Sequence, residues 1–232
     1  MDEDLDLRGF NNRCLLFPLP RVVLFPHAVL PLHIFEPRYR QMTEDAIATD
    51  KLITIVQLQS EPVTSVNPML GSPPIEEIAC LGRILQHERL PDGRFNFLLL
   101  GRKRVKLTRE VPSNKLYRIA EATILEDIDD DPTTEEPHRV ELVALFRKIF
   151  ERHNEVDPYL AALLENRQPM GILTDIIAHA LGLPPLVKQR FLNETRVWHR
   201  VEALRTILRQ AVERDAATQP VSRPFPPPFS MN

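Results

Sequence analysis

Four prolines interrupt one apolar, β-branched stretch, CLLFPLPRVVLFPHAVLPLHIF (14–35), at Pro18, Pro20, Pro26 and Pro31. That composition otherwise specifies buried strand. Proline cannot donate to a sheet ladder and is confined to edges, strand starts and bulges. The stretch is therefore expected to fold as several short, bent pieces that cross between sheet edges. The bias extends along the chain, with 22 Pro against 7 Gly, whereas average usage places Gly above Pro. Scarce glycine leaves few loops suited to cradling phosphate, which weighs against nucleotide chemistry.

The strand signal continues after a brief helical one. Glu36-Pro37 opens a helix with Pro at its first position, and Tyr39, Met42, Ala46 and Ile47 recur on one face. LITIVQL (52–58) reads as a buried strand. Residues 59–77 hold four prolines and no periodicity, so a long loop is expected, of the kind that is often functional in compact domains. Two strand runs, 78–89 and 94–100, flank the turn Leu90-Pro91-Asp92-Gly93 and predict a hairpin. Along its second arm Phe95, Phe97 and Leu99 alternate with Arg94, Asn96 and Leu98. Two further strands are expected near 102–110 and 117–125, completing a bent antiparallel sheet or open barrel.

From 137 the period becomes helical. Leu142, Leu145, Phe146, Ile149 and Phe150 form one stripe; Ile172, Leu173, Ile176, Ile177, Ala180 and Leu181 form another, stopped by Gly182 and Pro184. A helix opening at Asp157-Pro158 is expected over 159–165, a short one over 185–192, and a last one carrying Val197, Val201, Leu204, Leu208 and Ala211. These stripes predict a small helical bundle with Trp198 in its core. The organisation expected is an acidic tail at 1–12, a β-rich subdomain at 13–126, an acidic linker at 127–136, the bundle at 137–213 and a Pro-rich flexible tail at 214–232. That tail carries a weak PxxP match at Pro224 and Pro227.

Net charge is −3, unevenly spread: −7 falls in EDIDDDPTTEE (126–136) and −3 in the first ten residues, leaving both ordered parts mildly basic. Such acidic runs are usually solvated linkers. No apolar run reaches the roughly 20 residues a membrane span needs, and the N-terminus is unlike a signal peptide, so a cytoplasmic location is expected, with no membrane partner. Cys14 and Cys80 make neither a disulfide framework nor a zinc spacing, and read as reduced, buried thiols. Both phosphate-binding glycine motifs are missing, as are the G-x-S-x-G elbow and H-E-x-x-H. The seven histidines are scattered. No catalytic residue, metal or cofactor is expected.

One basic run stands out. In GRKRVKLTR (101–109), strand alternation would place Arg102, Arg104 and Lys106 on one face. Such a face could track a phosphate backbone or simply be the solvent side of a strand with Val105 and Leu107 turned inward.

The stretch from Phe17 to Leu58 resembles the N-terminal domain of the Lon protease family. The resemblance rests on Pro18-Leu19-Pro20, Val23-Leu24-Phe25-Pro26 and Leu30-Pro31-Leu32, followed by Ile34-Phe35-Glu36 and Arg38-Tyr39 in the form seen in stand-alone Lon-domain proteins. It continues through Ile78 to Leu85, the Leu90–Gly93 turn, Leu98 to Val105, Leu173 to Ala178, Lys188-Gln189 and Arg200-Val201-Glu202, covering about 13–212. It implies an α+β protein: a PUA-like pseudo-barrel with one inserted helix, then a helical bundle. It also implies binding of unfolded or specific protein partners, with self-assembly compatible. The ATPase and Ser-Lys protease modules of the full proteases would need far more chain, so a non-catalytic polypeptide-binding module is expected. The candidate contacts are Phe35, Tyr39 and Met42, for which core packing is the competing reading, and Met69 and Leu70 in the long loop. The alternative is an RNA-binding module using Arg102, Arg104 and Lys106, since PUA-like folds often read RNA.

Overall fold

The structure is a computed structural model describing Leu7 and residues 10–59, 73–129, 135–151, 168–215 and 230–231. It divides into two units, Met1–Leu125 with Phe229–Asn232, and Glu126–Pro228.

In the first unit, the proline-broken stretch forms β1 (Arg13–Leu19) and β2 (Val29–Ile34) joined by irregular chain. Pro31 lies in β2, outside the ring of strands, where its missing donor is tolerated. Next come α1 (Pro37–Ala48), β3 (Leu52–Gln57), β4 (Ile78–Arg89), β5 (Phe95–Glu110) and β6 (Ile119–Leu125), with β7 (Ser230–Met231) far along the chain. The strand order is β4-β3-β1-β6-β5-β2-β7, and β4 also pairs with β5. That extra pairing closes β4, β3, β1, β6 and β5 into a ring, which removes the edges an open sheet would expose.

The sheet is mixed and not purely antiparallel, because β1 pairs parallel with β3, Leu16 opposite Thr54. A parallel neighbour requires a long crossover, and the excursion through β2 and α1 supplies it. Sequence alternation suggested separate strands at 94–100 and 102–110; β5 is instead one strand of 16 residues. It stays whole because it bulges. Its partners slip one place at Arg102 against β4, and one at Thr108 against β6, and each extra residue bends the strand without ending the ladder. The first half of β5 pairs with β2 and the second half with β6.

The scarcity of glycine has a visible cost. Asn12, Arg21, His27 and Lys51 all adopt positive φ, between 59° and 64°, where an L-residue loses roughly 1–2 kcal/mol. Lys51 donates its N–H to the Ala46 carbonyl (2.8 Å) and so closes α1. Glycine is used where nothing else fits. Gly93 has φ 80° in the β4–β5 turn, and a side chain at Gly101 would overlap the Phe25 carbonyl. Gly101 and the chain at 27–28 exchange backbone bonds of 2.8 Å.

One core cluster joins Cys14, Leu16, Leu52, Val56, Ala79, Leu81, Val105, Ala120 and Ala122. Burial pushes the Cys14 thiol up to about 11. Tyr117 donates its hydroxyl to Asp45 on α1 (2.8 Å), Lys115 pairs with the same carboxylate (2.9 Å), and Gln41 accepts the Leu116 N–H (2.8 Å). These bonds hold the chain before β6 against α1.

The second unit contains α2 (Glu135–Glu151), α3 (Met170–Ala180), α4 (Pro185–Asn193) and α5 (Val197–Asp215). Leu142 and Phe146 of α2, Leu173 and Ile177 of α3, and Val201, Leu204 and Leu208 of α5 are buried, as their 3.6-residue spacing requires. Trp198 is only half-buried. Its ring meets His138 edge-on at 5.3 Å, so it lines the margin of the bundle instead of filling its core.

The start of the acidic connector is more than a solvated link. Ile128 bridges Arg196 in parallel, with Ile128 N–H to the Thr195 carbonyl at 2.9 Å. Asp127 accepts two bonds from the Arg200 guanidinium, 3.1 and 2.5 Å, and Asp175 of α3 approaches the same group at 3.2 Å. The expected helix over 159–165 lies outside the described residues.

Candidate polypeptide-binding surface

Beyond the ring, β2, the first half of β5 and the second half of β4 form a three-stranded arm. Its register is fixed by six consecutive pairs, from Val29 opposite Leu100 to Ile34 opposite Phe95. Side chains alternate across a sheet, so one set faces the core: Leu30, Leu32 and Ile34 with Phe95, Phe97 and Leu99, all buried. The other set lies on the opposite face: Val29 beside Leu100, Pro31, itself buried, beside Leu98, and His33 beside Asn96.

Ordinarily an outward set is polar. Here Val29, Leu98 and Leu100 are half-exposed, and Phe35, which follows β2, is 41% exposed. The Leu85 bulge on β4 adds another exposed apolar side chain. The polar end of the patch is ordered. His33 Nδ1 and Asn96 Oδ1 are 2.7 Å apart, and the His33 ring stacks on Phe35 with centroids 6.3 Å apart. Arg94 pairs with Asp92 at 2.6 Å, and that hydrogen bond holds the Asp92 carboxyl below its ordinary value.

Among the described sequence candidates for polypeptide binding, the structure brings only Phe35 to this surface. Tyr39 and Met42 of α1 are core residues, 5% and 0% exposed. Tyr39 packs on Phe17 with ring centroids 4.3 Å apart, under the Arg38 guanidinium. Burial raises its hydroxyl pKa. The α1 periodicity that made these residues conspicuous is the periodicity of a face turned inward. Met69 and Leu70 lie outside the described residues.

The basic run does not form one face. Arg102 is the bulged residue and half-exposed, Lys106 is exposed, and Arg104 is 2% exposed and paired opposite Cys80. The bulge takes Arg102 out of phase with the other two, while Arg104 and Lys106 keep consecutive pairings with β4 and share a face on which Arg104 is covered. Further along, Arg109 is matched by Glu121 (2.8 Å), and Arg118 by Glu110 (2.8 Å).

Val29, Leu98 and Leu100 were missed as surface residues. Their signal was present in NFLLLG (96–101), where leucine occupies both phases of the alternation. Among the described residues no group of His, Cys, Asp and Glu is placed to hold a metal, and no helix is long and apolar enough to cross a membrane.

A strand ring with an outlying three-stranded arm, followed by helices, defines an α+β module. The chain belongs to the LON substrate-binding domain family, whose model, that of the ATP-dependent protease La (LON) substrate-binding domain, matches residues 13–210. Among curated relatives, it is 27% identical over 190 residues to a Lon protease of Rhizobium meliloti, covering 81% of this chain and 23% of that one. It is 29% identical over 194 residues to one of Xanthomonas oryzae, covering 82% and 22%. The chain thus spans less than a quarter of the length of these relatives. Two solved structures share its fold. The Lon N-terminal domain protein from Xanthomonas campestris has a TM-score of 0.60 at 23% identity, covering 83% of this chain and 96% of that one. The N-terminal domain of a Mycobacterium avium complex Lon protease has 0.65 at 14%, covering 85% and 98%.

Proposed function

We propose that this chain is a non-catalytic polypeptide-recognition module that binds unfolded or partly unfolded protein in the cytoplasm. The observation carrying this reading is the β2–β5 arm, where Phe35 is exposed beside the half-buried Val29, Leu98 and Leu100 on the face away from the core. A contiguous apolar patch rimmed by polar side chains is the surface on which protein partners bury area. Membership of a substrate-binding family supports the same reading. The nucleic-acid alternative has less support, because Arg104, although in phase with Lys106, is buried.

The test is an anisotropy titration with labelled, reduced and carboxymethylated α-lactalbumin, which stays unfolded, against the wild-type chain and Phe35→Ser. Loss of one aromatic anchor worth about 1.4 kcal/mol weakens binding roughly tenfold. The melting temperature should hold, since Phe35 is exposed. Equal affinity of the two proteins removes the patch from the reading. A labelled RNA run in parallel at two salt concentrations reports any phosphate-driven binding, which would fall steeply with salt.

A further inference from the structure

The strand ring closes on itself, but the arm has two lateral edges, and they differ. Along the second half of β4 the edge is bulged at Leu85 and carries Gln86, His87, Glu88 and Arg89, all exposed. Bulges and charges are the devices by which sheets discourage strand addition. The β2 edge, VLPLHI, has neither: no Lys, Arg, Asp or Glu lies between Val29 and Ile34, and its register with β5 runs without a slip. Its one blunting device is Pro31, which removes a single donor and leaves the residues on either side of it able to pair. Just beyond that proline, at Leu32 and His33, the edge is taken by Ser230 and Met231 of this same chain, added in parallel as β7.

We infer that the β2 edge is where an extended, charge-poor polypeptide adds to this module as a parallel strand, and that segment 230–231 holds the edge in its absence. The inference rests on the polypeptide-binding reading and gives it a backbone component. Strand addition supplies affinity through main-chain bonds that are indifferent to sequence, while neighbouring side chains set preference. Phe35, two residues past His33 and exposed, lies where an apolar side chain of the added strand would find it. The sequence around the resident pair is of fitting chemistry: residues 224–232, PFPPPFSMN, hold no charged side chain. Among the described residues the resident ladder spans two residues, and the inference requires that it exchange for a longer strand.

The test uses the full chain and the full-length variant Ser230→Pro/Met231→Pro, which removes both donors of β7. The probe is labelled, carboxymethylated α-lactalbumin, and hydrogen exchange is read at the β2 amides. If the segment occupies the edge about nine-tenths of the time, the variant binds the probe about tenfold more tightly. Its β2 amides also lose protection when free and regain it with the probe. Equal affinities, or β2 protection that the variant does not change, overturn the inference while leaving the polypeptide-binding reading standing. Absence of probe binding by both proteins overturns that reading and the inference with it.

Discussion

Replacing Arg200 tests whether the second unit depends on its buried charge cluster. The Arg200 side chain is 1% exposed and lies between Asp175, 2% exposed, and Asp127, one-third exposed. Arg200→Met keeps much of the apolar volume but strips the guanidinium from two carboxylates. Asp127 can turn to water. Asp175 cannot, and removing one partner of a buried pair costs about 3–5 kcal/mol. For a unit of this size the urea m-value is about 1–1.5 kcal/mol/M, so the midpoint should fall by roughly 2–5 M. Trp198, the single tryptophan, sits two residues away on α5 and reports the transition by fluorescence. The double variant Arg200→Met/Asp175→Leu removes the stranded charge as well and should recover most of the loss, because a buried pair is often replaceable by apolar groups. Asp127→Asn alone should cost about 1 kcal/mol or less, as a partly exposed ion pair does. An Arg200→Met midpoint within 0.5 M of wild type, or a double variant no better than the single, refutes the reasoning.

Three further outcomes follow from backbone strain, close packing and burial. Lys51→Gly should raise stability by up to about 1 kcal/mol, because φ 59° at an exposed position strains lysine and not glycine; a lower melting temperature would contradict this. Gly101→Ala should destabilise by about 1–3 kcal/mol or more, since the methyl meets the Phe25 backbone and not a flexible side chain; a neutral result in urea would show that the 25–28 segment can yield. For Cys14, burial raises the folded-state pKa from 9.0 to about 11. Its contribution is intact below pH 9 and is lost as pH rises from 9 to about 11, a loss of about 2–3 kcal/mol. Cys14→Ala should flatten the stability profile between pH 9 and 10, below the ordinary value of 10.0 at which Tyr39 and Tyr117, also raised by burial, begin to add theirs. An unchanged slope would assign the alkaline loss elsewhere.

Local chemistry was legible in the sequence where a residue type permits only one backbone role. Pro37 at the head of α1, the Leu90–Gly93 turn and the apolar stripes of α2, α3 and α5 all fall where pattern and propensity place them. What escaped was whatever depends on a partner distant in the chain. The phase change at Arg102 arises from β4 and cannot be read from β5 alone, and Arg104, in phase with exposed Lys106, looked like surface because strand alternation does not say where a face is covered. Tyr39 and Met42 sit on an apolar helix face, and periodicity says that such a face is covered without saying by what; the strand ring covers it. Asp127 read as one more acid in a solvated run because its cation, Arg200, lies 73 residues away. The outward leucines of β5 were visible as letters, but only the β2 register turns Leu98 and Leu100 into a surface.

The closure of the strand ring also sets a timetable for synthesis. β1 emerges first from the ribosome, yet one of its two neighbours is β6, with Cys14 opposite Ala120, more than a hundred residues later. Until the chain has grown well past Leu125, β1 can pair only with β3, and β4 has nothing to close against but the hairpin arm of β5. A topology dominated by such distant pairings folds slowly and leaves apolar strands exposed meanwhile. Nascent copies should therefore expose the β1 edge that β6 later covers, and chaperone demand during translation should exceed that of a helical protein of equal length.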